Sequence, residues 1–171
     1  MSRPSTLARP PQQIGRLKAL ATSPRALRLG MNLWPPFLCS GIRVQSMGQD
    51  LRHVRVRLAH GPLTSNYVGT LFGGSLFSMT DPFWMMMVLR GLGPGYVVWD
   101  RAAEIEFVSP GRGPVVATFD LSEAVLDELR AEAESGRPVL RWFDTPVVAE
   151  DGTGTVVARV RKQLYVRRRR P

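Results

Sequence analysis

Residues 66–91 read NYVGTLFGGSLFSMTDPFWMMMVLRG, and this stretch decides the fold. Leu76, Phe77 and Met79 lead into an unbroken apolar run, Phe83 to Leu89, which leaves no polar stripe wide enough for a solvated helix face. A helix that is apolar all round is a buried helix. The run is too short and too interrupted to span a bilayer, which takes ~20 predominantly apolar residues. One carboxylate, Asp81, stands among these side chains, and the pair Gly73-Gly74 precedes it. An acid in such surroundings needs a structural partner or a chemical task.

The flanks of this run have a different period. Upstream, Ile42, Val44 and Ser46 alternate with Arg43 and Gln45, and Val54, Val56 and Leu58 alternate with His53, Arg55 and Arg57. A period of two predicts strands, here a hairpin across Gly48-Gln49-Asp50 with one wet face. Gly61-Pro62 closes the hairpin and opens a loop into the apolar helix. Downstream, Gly91, Gly93, Pro94 and Gly95 end that helix. Ala103, Ile105 and Phe107 then share one strand face, with Trp99-Asp100 read as a strand pair bearing a surface charge. Further strands are predicted at Val115–Leu121, Val139–Ala149 and Thr155–Val166. Ser122 N-caps a helix that Gly136 ends.

A sheet of six strands and one all-apolar helix form an α+β domain in which the sheet must wrap the helix to bury it. A single copy leaves a sheet edge open, which invites pairing between subunits. Ahead of the domain, residues 1–13 read as disordered, and Ile14, Leu17, Leu20 and Ala21 form a short helical stripe. A second short helix is expected from Ala26 to Leu33, stopped by Pro35-Pro36. The predicted division is a basic arm over 1–40, the domain over 41–166 and a basic tail over 167–171.

The net charge of +9 belongs to the ends. Residues 1–40 hold six basic residues and no acid, and residues 167–170 are four arginines. Residues 41–166 carry thirteen basic against fourteen acidic groups. A nucleic-acid reader carries its positive patch on its fold, so specific nucleic-acid binding is not expected. One cysteine, Cys39, excludes an internal disulfide framework, and two histidines are too few to build a zinc site around it. His53 and His60 have no sequence partner that suggests a metal or a Ser-His pair. No continuous apolar run of signal-peptide length occurs at the N-terminus, so secretion is not expected; the acid-free first 49 residues fit a transit peptide or an Arg-rich arm, the arm is favoured, and a cytoplasmic location is the expectation.

Two readings of Asp81 follow from the residues. Asp81-Pro82 either opens a helix, with Asp as N-cap and Pro at the first helical position, or the helix begins near Gly74-Ser75 and Pro82 bends it. Gly73-Gly74 either permits close packing or presents bare N–H groups that could stabilise an oxyanion. Met85 to Met87 read as core filler that could also line a plastic acyl pocket.

The spacing Asn66-x-x-Gly69-x-x-Phe72-Gly73-Gly74, followed after six residues by Asp81, resembles the hotdog-fold thioesterases of the phenylacetate-pathway type. It is nearer still to the branch labelled tetrameric acyl-CoA thioesterases. WDRAAEIEFVSPGRGPVVATF, residues 99–119, is similar to a strand segment of the same family. The resemblance covers about 41–166 and implies a sheet wrapped around one central helix. It implies that Asp81 is the catalytic nucleophile or base, that the N–H of Gly74 polarises the thioester carbonyl, and that Asn66 lies beside the reacting centre. Phe72, Gly73, Ser75, Trp84 and Met85 would contact substrate. No metal or redox cofactor is implied; coenzyme A enters as part of the substrate. Asp and Gly of one site come from different subunits in such enzymes, so a homodimer or tetramer is implied. Phe72 stands where the family has histidine, and Pro82 where it has a small residue. The other functions open to this scaffold are non-catalytic acyl-thioester binding and a structural homo-oligomer in which Asp81 only caps a helix.

Overall fold

The computed structural model describes residues 23–169. Two short helices, α1 (Pro24–Leu33) and α2 (Pro35–Cys39), precede a hairpin of β1 (Ile42–Met47) and β2 (His53–Leu58). The apolar run follows as α3 (Gly73–Ser78) and α4 (Phe83–Leu92). The remainder is β3 (Tyr96–Phe107), β4 (Val115–Asp120), α5 (Glu123–Ala133), β5 (Val139–Ala149) and β6 (Val156–Arg168). One antiparallel sheet has the order β1-β2-β4-β5-β6-β3. The central helices carry the chain from β2, near one edge, to β3 at the other. This is the wrapped-helix α+β layout expected of a hotdog fold.

The central run is interrupted rather than continuous. Residues 79–82 form a turn between α3 and α4, and Pro82 is the N-cap of α4. Proline lacks the N–H that would continue the ladder, and its ring crowds the preceding turn. The capping reading of Asp81 fails: α4 has no side-chain cap bond, and the Asp81 carboxylate is engaged elsewhere. Buried Met79, Phe83, Trp84, Met87 and Val88 press the run against the sheet. Aromatic rings continue the packing through the core, Phe37 to Phe83 (6.0 Å), Phe83 to Phe119 (4.9 Å) and Trp84 to Phe143 (4.6 Å).

Two predicted boundaries move. Pro35-Pro36 does not merely stop α1; it occupies the first positions of α2, where a missing N–H costs nothing. Met31 of α1 and Phe37 of α2 are buried in the main core, so the domain begins near residue 24 rather than 41. At the other end, β6 continues through Arg168, whose register partner is Tyr96. The 167–171 tail is thus shorter than its charge suggested, because backbone pairing ignores side-chain charge. The expectations for residues 1–13, for the 14–21 stripe and for residues 170–171 lie outside the described residues.

The two sheet edges differ. Asn32 of α1 clips β1: its Oδ1 accepts from the Val44 N–H (2.8 Å) and its Nδ2 donates to the Val44 carbonyl (3.2 Å). Arg28 of the same helix donates to the Gln45 carbonyl (2.7 Å). Strand β3 pairs only with β6 and shows its other side to no strand among the described residues.

Candidate functional site

Asp81 lies in the turn between α3 and α4, and its side chain is 58% exposed. The residue that meets it comes from β6. On that strand Val160, Leu164 and Val166 face inward, and Lys162 stands in the same alternation, 2% exposed. Its Nζ donates to Asp81 Oδ1 at 2.7 Å and to the Asp81 main-chain carbonyl. It also lies 3.3 Å from Asp100 Oδ2. An ammonium has three N–H groups, and here three oxygens surround it.

Asp100 is exposed, as expected, but its carboxylate is also paired with a buried partner. It sits in β3 opposite Leu164, just before a bulge at Arg101 that shifts the register between Asp100 and Ala102. Inward-facing Asp100 is thereby placed beside Lys162, with its side chain 35% exposed. Burial pushes the Asp100 carboxyl above the usual carboxylate range, the Lys162 ammonium opposes that rise, and the negative charge of Asp81 adds to it.

Asn66 organises its own loop. Its Oδ1 accepts from the N–H groups of Val68 and Thr70 (both 3.1 Å), and its Nδ2 donates to Thr70 Oγ1 (2.8 Å). Gly69, with φ of 78°, makes the turn within that loop. Phe72 is the N-cap of α3, anchored by its N–H on the Thr64 carbonyl (2.8 Å), with its ring 56% exposed. Gly73 and Gly74 are the first residues of α3, and their N–H groups have no acceptor among the described residues. The space above them is occupied by rings: a Cβ on Gly73 would meet Phe107 at 2.8 Å, and one on Gly74 would meet Phe72 at 2.4 Å. Ser75 is buried. Met85 is half-buried against the core. Trp84 lies inside the core, with its indole N–H bonded to Thr145.

Asp81 follows Gly74 by seven residues, which at helical rise is ~10 Å of axis. Two surface concavities of the protomer, about 260 and 540 Å³, are lined around Gly111 and Thr155 and around Glu104 and Pro146. Neither includes Asp81, Gly74 or Asn66. Among the described residues, no three potential metal ligands converge, and no helix is long and apolar enough to cross a membrane. His60, which the sequence left without a partner, has its Nε2 3.2 Å from Ser65 Oγ. That hydroxyl donates to the Gly61 carbonyl (2.8 Å), so the pair ties a loop and is not arranged as nucleophile and base.

Comparison with known proteins agrees with this architecture. The family described as Domain of unknown function (DUF4442) matches residues 24–166, and the chain belongs to it. Among solved structures it resembles a protein of unknown function, probable thioesterase, from Pseudomonas aeruginosa. That match has 18% identity and a TM-score of 0.74, covering 85% of this chain and 95% of that one. It also resembles a thioesterase from Haemophilus influenzae (15%, TM-score 0.61, 85% and 91% covered). A third is thioesterase superfamily member 2 from Mus musculus (18%, TM-score 0.57, 83% and 96% covered). At these identities the likeness is one of fold, the hotdog fold. No curated protein matches the sequence significantly. The start of the family match at residue 24 coincides with α1, in keeping with the packing of α1 and α2 on the core.

Proposed function

We propose that the protein hydrolyses medium or long acyl-CoA thioesters, as the phenylacetate-type and tetrameric acyl-CoA thioesterase branches of the superfamily suggest. The observation that carries this reading is an accessible carboxylate fixed at a helix break: Asp81 Oδ1 is bonded to Lys162, while Oδ2 has no partner among the described residues. The Asp81 carboxylate takes a proton from water as the water oxygen attacks the thioester carbon. The N–H of Gly74 from a second subunit stabilises the oxyanion. Collapse breaks the C–S bond, and the coenzyme A thiolate takes up the proton. Alternatively Asp81 attacks directly, and water resolves the resulting anhydride. The ~10 Å between Gly74 and Asp81 along one chain, and the bare edge of β3, support a homodimer or a dimer of dimers as the working unit. Exposed Phe72, with Gly73 and half-buried Met85, would meet substrate there, whereas Ser75 and Trp84 are buried. A cytoplasmic location suits a coenzyme A substrate.

The engagement of Asn66 inside its own loop, together with Phe72 in the histidine position, favours non-catalytic acyl-thioester binding as the second reading. A panel of acyl-CoAs with free-thiol detection separates the two. Exposed Cys39 would contribute one thiol per chain, so the assay is run on C39S. Turnover with C8 to C18 chains supports hydrolysis. Saturable binding without thiol release supports the binding protein.

A further inference from the structure

Lys162 is an anomaly in two respects. Only two lysines occur in the chain, Lys18 and Lys162, in a sequence otherwise supplied with arginine. It also occupies an inward position on β6 between buried Val160 and Leu164, where the alternation calls for an apolar side chain. Burying an ammonium costs several kcal/mol before its partners compensate, and a well-packed apolar residue of similar size is often as stable or more so. Stability alone therefore gives no reason for a lysine here. Its geometry does. A tetrahedral ammonium can direct three N–H groups to three oxygens in different directions, whereas a planar guanidinium fork cannot converge on them from one nitrogen. The three oxygens are the main-chain carbonyl of Asp81, Asp81 Oδ1 and Asp100 Oδ2.

We propose that Lys162 is the positioning residue of the Asp81 site. Its ammonium pins the backbone and one carboxylate oxygen of Asp81 at the Pro82 break, Asp100 holds the ammonium from behind, and Asp81 Oδ2 is left to face substrate and water. This rests on the thioesterase reading for its catalytic consequence, though not for the clamp itself. Buried, with two N–H groups held by Asp81 and its charge paired with Asp100, Lys162 is neither nucleophile nor donor to the substrate. The bulge at Arg101 acquires a purpose, because it sets Asp100 beside Lys162.

The test uses the full chain carrying C39S, with K162M, K162R and D100N added singly. K162M is expected to keep the elution volume of its parent and to lower kcat about 10²-fold, the scale of a misplaced reacting group. KM should stay within about threefold, because Lys162 touches no substrate. K162R should not restore kcat, since its fork cannot replace the three-way hold. D100N keeps an oxygen acceptor and should cost less than tenfold. Should K162M fail to fold, K162M/D100N removes the cation together with one of the acids and is read in the same way. Parental kcat in a folded K162M or K162M/D100N overturns the proposal. A second readout needs no activity. Lysine labelled with ¹⁵N at Nζ gives at most two ammonium signals, and that of Lys162 should be protected from exchange and should shift in D81N. A Lys162 signal indifferent to D81N overturns the clamp whatever the enzyme does. A responsive signal in a protein that hydrolyses no acyl-CoA overturns the thioesterase reading and leaves the clamp standing.

Discussion

The indole N–H of Trp84 donates to Thr145 Oγ1 at 2.8 Å, joining the central helix to the middle of the sheet through two residues that are 6% and 2% exposed. The Trp84 ring also stacks on Phe143. W84F keeps an aromatic ring but leaves the Thr145 hydroxyl buried without its donor. We expect a loss of about 1–3 kcal/mol, read as a lower denaturant midpoint with an unchanged m-value.

Asp81→Asn tests the chemistry. The amide oxygen can still accept from Lys162, while the basicity is gone. Hydrolysis should fall by about 10²–10⁴-fold, with elution volume unchanged. Full turnover in D81N would remove Asp81 from the mechanism.

The half-buried Asp100 makes a pH-dependent contribution that can be isolated by difference. Its folded carboxyl titrates above the ordinary value of 3.8, chiefly because burial disfavours the charge. A group with a raised folded pKa binds its proton more tightly in the native state, so its favourable contribution is complete below 3.8 and is lost as pH rises through the elevated value. Asp50, Glu150 and Asp151 are shifted downward by their hydrogen bonds to Arg52, Arg57 and Thr153, and so act in the opposite sense. Those three are common to wild type and D100N and cancel. Stability of D100N relative to wild type should therefore rise with pH from about 3.8 upward and then level off. Urea melts across that range would show it, and a pH-independent difference would contradict the account.

Two glycines separate packing from chemistry. A Cβ on Gly91 would meet Leu126 Cδ1 at 2.6 Å, and Leu126 is fully buried. G91A should cost about 1–3 kcal/mol through overpacking of α4 on α5. The three atoms nearest a Cβ on Gly74 all belong to the ring of Phe72, which is more than half exposed and can swing away. G74A should therefore leave the melting temperature close to wild type, and any loss of turnover would be assigned to the site.

N32A removes both side-chain bonds that α1 makes to the backbone of Val44. At roughly 0.5–1.5 kcal/mol per bond, about 1–3 kcal/mol of stability should be lost. Aggregation on storage should also increase as the edge of β1 opens. Chemical denaturation and static light scattering report the two effects separately.

The strands, the buried run and the capped surface helix were legible because each carries its own periodicity. Ser122 does cap α5, accepting from the Val125 N–H at 3.3 Å. The break at Pro82 was legible as a choice between bend and cap, and the resolution lay outside the run, in what the Asp81 side chain meets. Lys162 was missed, although two signals pointed to it: its scarcity, and its phase with Val160, Leu164 and Val166. Its partners lie 81 and 62 positions away in sequence, and no local pattern links residues across that distance. The pairing of Asp100 with Lys162 was missed because period-two reasoning cannot see a bulge in the following residue. The ends were misjudged because charge was taken as a sign of exposure, whereas α1 and the last turn of β6 are held by backbone and apolar contacts.

The contrast between the sheet's two borders gives the fold a valence. With the Val44 amide and carbonyl taken by Asn32, backbone growth beyond β1 is refused. The twelve residues of β3 remain able to accept a neighbour. A ribbon with one reactive border would join one other ribbon and then be complete, so any association through the backbone would stop at a pair rather than propagate into a fibre.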